Sequence, residues 1–416
     1  MSKVNSVKIF SYLAYFLPIA IVTGSFLTDL IVSLIAIFFL YKLYKEKIWH
    51  YFKNNFSYIF LFFYFYILLR SFFSFDIILS LEHSLFYFRY LFFVFGVIYL
   101  IKNNNKFIKF FFYSLSFIFI ILIIDAYIQF FFERNIIGMA NTIEGRLSGL
   151  FYDKFILGQY LARLYPLLLG LAFYVCKDNK FIISLIVSLL FFIDVLVFIS
   201  GDRTAFILMM MSTIMLLCIS NEYKILRFLV LIFSLSFIAG ITFFSDTVYD
   251  RVVSETIKEA QLDSEEKLII SSTHQDLFST SVKMFNDNKL FGHGPKTFRL
   301  LCSNYYQTSE GCSTHPHNMY LQLLSETGII GTLPIILCFF YVSYLLLRQF
   351  LNLIFQGKDQ YLQDYQIFLL IALFITLWPI APTMSFFSNH FAPIYFLPLP
   401  FLLFNQIRNK YLVDAK

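Results

Sequence analysis

The chain has 416 residues, of which 59% are hydrophobic and only 14% charged, with a formal net charge of +6. So little polar surface cannot coat a water-soluble globule, and 57 Phe and 28 Tyr belong in a bilayer. Nothing in this composition implies a nucleic-acid partner.

Taken in order, long and nearly charge-free runs cover about 9–26, 27–41, 57–75, 84–101, 107–132, 148–175, 181–200, 204–220, 225–245, 319–347, 365–381 and 390–407. Each is near the ~20 residues that about 30 Å of hydrocarbon requires. The pattern predicts an all-α, polytopic membrane protein of about twelve transmembrane helices with one large loop subdomain. Pro18, Gly24 and Asp29 interrupt the first two runs, and Pro379 with Pro382 predicts a broken segment. The first run lacks a small-residue cleavage site and a second span follows at Leu27–Leu40, so the N-terminal helix is expected in the mature protein. No internal repeat or inverted symmetry is visible. The expected organisation is helices 1–9 over 1–245, a periplasmic loop subdomain over 246–318, and helices 10–12 with a cytoplasmic C-terminus over 319–416.

With a cytoplasmic N-terminus, the inner turns carry mostly lysine, among them Lys42, Lys45, Lys102, Lys106, Lys177, Lys180, Lys358, Lys410 and Lys416. The short loops and helix ends opposite carry Arg70, Arg89, Arg134, Arg146, Arg163 and Arg203, with Lys154 as the one lysine. The positive-inside rule then puts both termini inside and the long loop outside. Topology needs only positive charge, so arginine outside calls for another reason. A guanidinium presents a planar fork that matches phosphate oxygens and stays charged when partly desolvated. Pairing with Asp76, Glu82, Glu133, Glu144, Asp153 and Asp202 is the plainer reading for any one of them; for the group, an anion site is expected. His83, His274, His293, His315, His317 and His390 also fall outside and only His50 within, so the chemistry is expected there too.

Between the ninth and tenth runs the composition turns soluble. His274–Asn286 has helical spacing at Leu277, Val282 and Phe285, and Gly292, Gly294 and Pro295 mark a turn. Cys302 and Cys312 stand ten apart on the oxidising side and are expected to form a disulfide. Cys176, Cys218 and Cys338 read as packing residues in apolar spans.

The sharpest local signal is Ser313-Thr314-His315-Pro316-His317-Asn318 at the start of an apolar run. Thr314 or Ser313 as cap and Pro316 in the first turn would place His317 inside that turn, where the dipole disfavours an imidazolium. Neutral imidazole suits a general base, and a helix start also seats phosphate oxygens. At 100° per residue, Gly328 and Gly331, eleven and fourteen positions on, fall within about 40° of His317, which predicts one close-packed stripe. Glu326 falls on the other face and needs its own protein or water partner. A lone histidine here also reads as a cap for loop carbonyls. No metal-ligand spacing accompanies the two histidines, so no metal is expected.

His317-Asn318, nine residues, then Gly328 and Gly331 resembles the signature of the O-antigen ligase and polymerase family, near the end of that family's large periplasmic loop. The preceding NDNKLFGHGPKTFR is also similar to the family's stretch. SGDRTAF and GRLSGLFYDKFILGQYLA resemble its arginine-bearing segments, which gives Arg203 and Arg146. The first 130 residues contribute topology only. Many relatives carry an arginine at the start of the loop helix, where this chain has His274-Gln275. Arg251, Arg299 or Lys283 are the candidates for that missing charge. The resemblance implies a metal-independent, inverting transfer of a glycan from undecaprenyl diphosphate to a lipid A-core acceptor or a growing glycan, with no cofactor. His317 would be the base, and Arg146, Arg203, Arg251, His274, Arg299, His315 and Asn318 would contact substrate. Polymerisation uses the same donor chemistry. The other class weighed is a transporter or flippase, for which the deep charges are few, chiefly Asp125 and Asp194.

Overall fold

The computed structural model describes residues 3–143, 145–257, 272–306, 311–355 and 361–405. Glu144, Lys358, Arg408, Lys410 and Lys416 of the charge analysis lie outside them. Among the described residues the chain is helical, with a single isolated bridge between Arg134 and Ala140 and no strand. The helices are α1 Lys3–Thr23, α2 Ser25–Glu46, α3 Asn55–Phe72, α4 Ile77–Ser84, α5 Arg89–Asn103, α6 Phe107–Phe132, α7 Leu157–Val175, α8 Lys180–Ile199, α9 Arg203–Ile219 and α10 Lys224–Phe244. After the loop come α11 Ser272–Asp287, α12 Phe298–Tyr305, α13 Met319–Phe355, α14 Asp364–Thr376 and α15 Ala392–Asn405.

All twelve expected runs are helical. Eight are long and apolar enough to cross a membrane, with α4 and α5 forming one such unit, whereas α9, α14 and α15 are shorter apolar helices. α7 falls short for a visible reason. Gln159, Arg163 and three tyrosines dilute its hydropathy, and it is enclosed by α6, α8, α9 and α14, so neighbours rather than lipid cover most of its residues. The two proline-rich expectations divide. Pro18 stays inside α1, while the chain breaks at Gly24, whose φ of +134° separates α1 from α2. Near Pro379 the helix does stop: α14 ends at Thr376, and non-helical backbone leads to α15.

Polar caps define the helix starts. Asn54, Asp76, Asn179 and Asp202 each accept a backbone N–H from two or three residues into α3, α4, α8 and α9. Lipid supplies no hydrophobic drive between helices, so close approach and dispersion hold the bundle. Gly96 of α5 shows how: a Cβ there would lie 2.7 Å from Ile35 Cγ2, so α2 packs directly on its backbone. Of the cysteines expected to pack, Cys176 is buried, but Cys218 faces outward.

The loop subdomain has its own small core of Leu277, Met284, Phe298, Leu301 and Cys302. Its inward stripe on α11 is Leu277, Thr280, Ser281 and Met284; Val282, expected inward, is exposed because five residues carry it about 140° around the helix. A disulfide joins Cys302 to Cys312, with Cα atoms 5.1 Å apart, and pins α12 to the segment that enters α13.

Candidate active site

The helix break after the histidines organises the surrounding segments. α13 is interrupted at Gly328, whose backbone (φ 65°, ψ −170°) is non-helical. The segment 289–294 fills the gap. Ile329 N–H donates to Lys289 O at 2.9 Å, and Gly294 and His293 N–H donate to Glu326 O and Ser325 O at 2.7 and 3.1 Å. A Cβ on Gly292 would lie 2.5 Å from Glu326 C, so only glycine admits this approach.

Glu326 has its partners here. Its carboxylate accepts from Lys296 N–H at 2.9 Å, Phe298 N–H at 3.2 Å and Gln322 Nε2 at 3.0 Å, so it caps α12 from another element. Gln322 also donates to Ser385 Oγ and accepts from Phe386 N–H. The segments 289–298, 313–327 and 383–386 are thereby knitted into one platform.

His317 does not sit in the first helical turn. Asn318 is the cap of α13: its Oδ1 accepts from Tyr320 and Leu321 N–H at 2.9 and 3.0 Å, while its Nδ2 donates to Pro379 O at 2.7 Å. This corrects two expectations. Thr314 is not the cap, because its hydroxyl is used on His315 Nδ1 at 3.1 Å, and Asn318, 4% exposed, is committed to protein partners rather than open to a substrate. The stripe with Gly328 and Gly331 also fails, since His317 precedes the helix and Gly328 breaks it.

His317 adopts φ +55°, a left-handed conformation unfavourable to a side chain with a Cβ, and its carbonyl accepts from Thr383 N–H at 2.7 Å. The turn brings three imidazoles together. The His317 ring lies 4.2 Å from that of His315 and 5.7 Å from that of His274 in the first turn of α11. It is half-buried among protein groups. His315 Nε2 is buried without a hydrogen-bond partner among the described residues. Arg299 is exposed and, with Lys296, lies within electrostatic reach of His315.

Burial holds the His317 pKa below the ordinary imidazole value, and neighbouring His274 adds to this. His315 is pushed down to about 3, by burial first and then by His317. Both are neutral at pH 7. Their unfolded counterparts take up protons below about pH 6.5, which the folded site resists. Stability from this region is therefore present above pH 6.5 and lost on acidification, for His315 across the window down to about 3. A pH series of thermal unfolding on purified protein should show stability declining from pH 6.5 toward 4, and less so in His315→Asn. A rise over that interval would contradict the assignment.

A second group gathers around Asp202. Arg146 lies within electrostatic reach of Asp202, Arg251, Arg203 and Glu255, and burial holds its pKa below the usual guanidinium range. Its guanidinium stacks 4.5 Å over Phe155, and Nε has no partner among the described residues. Arg203 Nη1 donates to Thr256 Oγ1 at 2.9 Å, and Arg251 Nη1 to Glu255 Oε2 at 2.5 Å. Tight backbone turns allow this convergence: a Cβ on Gly201 would lie 2.3 Å from Gly145 O and within 3.5 Å of both Arg251 Cγ and Arg146 Cγ.

Arg70 and Arg89 are committed elsewhere. Arg70 donates to Phe291 O and Gly292 O at 3.0 and 2.6 Å and also to Phe73 O, which clamps the turn at the helix break. Arg89 pairs with Asp29 at 2.8 Å and donates to Asn389 Oδ1. Lys283, a candidate for the missing charge, is exposed with its ammonium 5.1 Å from the Tyr306 ring. Of the remaining histidines, His293 and His390 bond the backbone carbonyls of Met284 and Ile21. Asp125, one of the deep carboxylates, accepts from Ile136 N–H and so braces the loop after α6.

Residues 185–336 match the protein family described as O-antigen ligase. This region is similar to that family's domain. It runs from α8 through the loop subdomain to the first half of α13, and so contains Arg203, Arg251, all three clustered histidines and the break at Gly328. Arg146 and α1 to α7 lie outside the match. No curated protein matches the chain.

Proposed function

We propose that this protein is a member of the O-antigen ligase family and transfers a glycan from undecaprenyl diphosphate to a lipid A-core acceptor on the periplasmic side of a bacterial inner membrane, with both termini cytoplasmic. The observation that carries the reading is a neutral, half-buried imidazole at a strained turn, joined through Thr383, Tyr395 and Arg163 to a convergent set of guanidiniums. His317 removes the proton from the acceptor hydroxyl. The acceptor oxygen attacks the anomeric carbon from the side opposite the leaving group, the bond from that carbon to the diphosphate oxygen breaks, and the electron pair departs with the diphosphate. Arg146, Arg203 and Arg251 hold that leaving group, and His274 and His315, packed against the base, help disfavour its protonated form. Fixed guanidiniums match charge that develops on the phosphate oxygens and need no reorganisation as it does so.

Two arms test the reading. In a deletion strain, long lipid-linked chains left unattached indicate ligation, whereas single-repeat products indicate polymerisation by the same donor chemistry. In membranes given lipid-linked glycan, transfer to acceptor without change of leaflet supports an enzyme over a flippase. Arg146→Lys and Arg203→Lys should each lower transfer about tenfold to a hundredfold at normal protein levels, because a point charge does not reproduce a two-pronged contact. Wild-type product from both would remove the anion-site argument.

A further inference from the structure

Arg163 stands apart from the arginines so far assigned. It lies on α7, the most enclosed helix, and is 1% exposed. Its Nε and Nη1 have no hydrogen-bond partner among the described residues. A buried guanidinium without an acceptor costs several kcal/mol of lost hydration, so a chain that keeps one must supply an anion or a polar occupant.

Its surroundings indicate which. The groups within its electrostatic reach are Tyr395 of α15 and Asp202. Asp202 is already used, since its Oδ1 accepts Ala205 N–H and Gln159 Nε2 at 2.9 and 3.1 Å. The Tyr395 hydroxyl and the Thr383 hydroxyl beside it are buried, lie within hydrogen-bonding reach of each other and find no other partner among the described residues. Thr383 is the residue whose N–H holds the His317 carbonyl. Arg163 thus stands between the two halves of the site, with Asp202 and Arg146 on one side and Tyr395, Thr383 and His317 on the other. Arg146 and Arg163 lie within electrostatic reach of Asp202, and Arg203, Arg251 and Glu255 within reach of Arg146, so among the described residues four guanidiniums meet two carboxylates, an excess of two positive charges. A dianionic group of phosphate oxygens would neutralise that excess and accept from the idle donors.

We infer that Arg163, with the Tyr395 hydroxyl, is an inner contact for the diphosphate of the donor, reached beneath Arg146 and Arg203 and directly joined to the backbone that holds His317. This rests on the transferase reading above. It also supplies a guanidinium from the bundle interior where the loop helix offers His274-Gln275.

The test uses purified full-length protein in detergent, with inorganic pyrophosphate and a short-chain polyprenyl diphosphate as probes and binding read by calorimetry. Arg163→Gln and Arg163→Lys, checked as monodisperse and folded, should bind both probes about tenfold to a hundredfold more weakly than wild type, with Tyr395→Phe showing a smaller loss. In transfer assays the donor KM should rise in Arg163→Lys while the acceptor KM holds. Wild-type affinity in folded Arg163→Gln overturns the proposal, as does failure of both Arg163 variants to fold, which would make Arg163 a packing element. If the wild-type protein binds neither probe, the transferase reading itself fails, a result distinct from loss confined to the variants.

Discussion

Replacing His317 with Ala should abolish glycan attachment while the protein remains in the membrane at its normal level. A positioned general base contributes about 10²–10⁴ in rate, so the residual activity should fall below what a gel of surface glycan detects. The loss is expected to be chemical rather than structural. The His317 main chain, not its ring, holds Thr383, and no protein group among those described hydrogen-bonds the ring nitrogens, so the variant keeps the contact that shapes the turn. Relief of the left-handed backbone would not restore function, and His317→Gly should be as inactive as His317→Ala. An unchanged glycan ladder at normal protein abundance would eliminate His317 as the base.

Gly328→Ala should sharply reduce the amount of folded protein. The added Cβ would lie 2.3 Å from Leu290 O and 2.4 Å from Leu290 C, backbone atoms that cannot swing aside. The backbone at φ 65°, ψ −170° is also one that only glycine adopts readily, so strain adds to the clash, for a cost on the order of 3 kcal/mol or more. Displacement of 289–294 would remove the N–H partners of Glu326 and the acceptors of Arg70 together. Gly331→Ala provides the contrast. Its Cβ would meet Thr327 Oγ1 at 2.4 Å, Thr327 Cβ at 2.5 Å and Tyr66 Cε1 at 2.7 Å, a clash with side chains on a backbone free of left-handed strain, so a smaller loss is expected. Membrane abundance and thermal unfolding measure both; a Gly328→Ala protein as abundant and stable as wild type would show that the break tolerates a side chain.

The transmembrane layout was legible because a spanning run announces itself by length and lack of charge, independently of its neighbours. Even α7, expected over 148–175, forms a helix at Leu157–Val175. His274, His315 and His317, and the arginines near Arg146, stood out as residue types. What sequence could not supply was which atoms meet. Glu326 finds its donors at Lys296 and Phe298, about thirty residues earlier, and no local pattern encodes that pairing. Arg70 looked like the other outer arginines, yet its acceptors are carbonyls more than two hundred residues away. The helix start was misread by a few residues because Thr314, Ser313 and Asn318 are all good caps. The choice fell to Asn318, whose amide also reaches Pro379 in the broken stretch between α14 and α15. Arg163 and Tyr395 lie on separate helices with no shared motif, so only their lack of partners singles them out.

The way 289–294 completes α13 constrains the order of assembly. Inside hydrocarbon, an amide that finds no acceptor is too costly to wait, and Ile329 and Ile330 obtain theirs from Lys289 and Leu290, upstream of the helix they belong to. The tenth span therefore cannot mature as an autonomous helical hairpin released sideways by the insertion machinery. It must stay near water, or near the segment 289–294, until that segment folds back against it, so that a folding event outside the helix licenses its final packing.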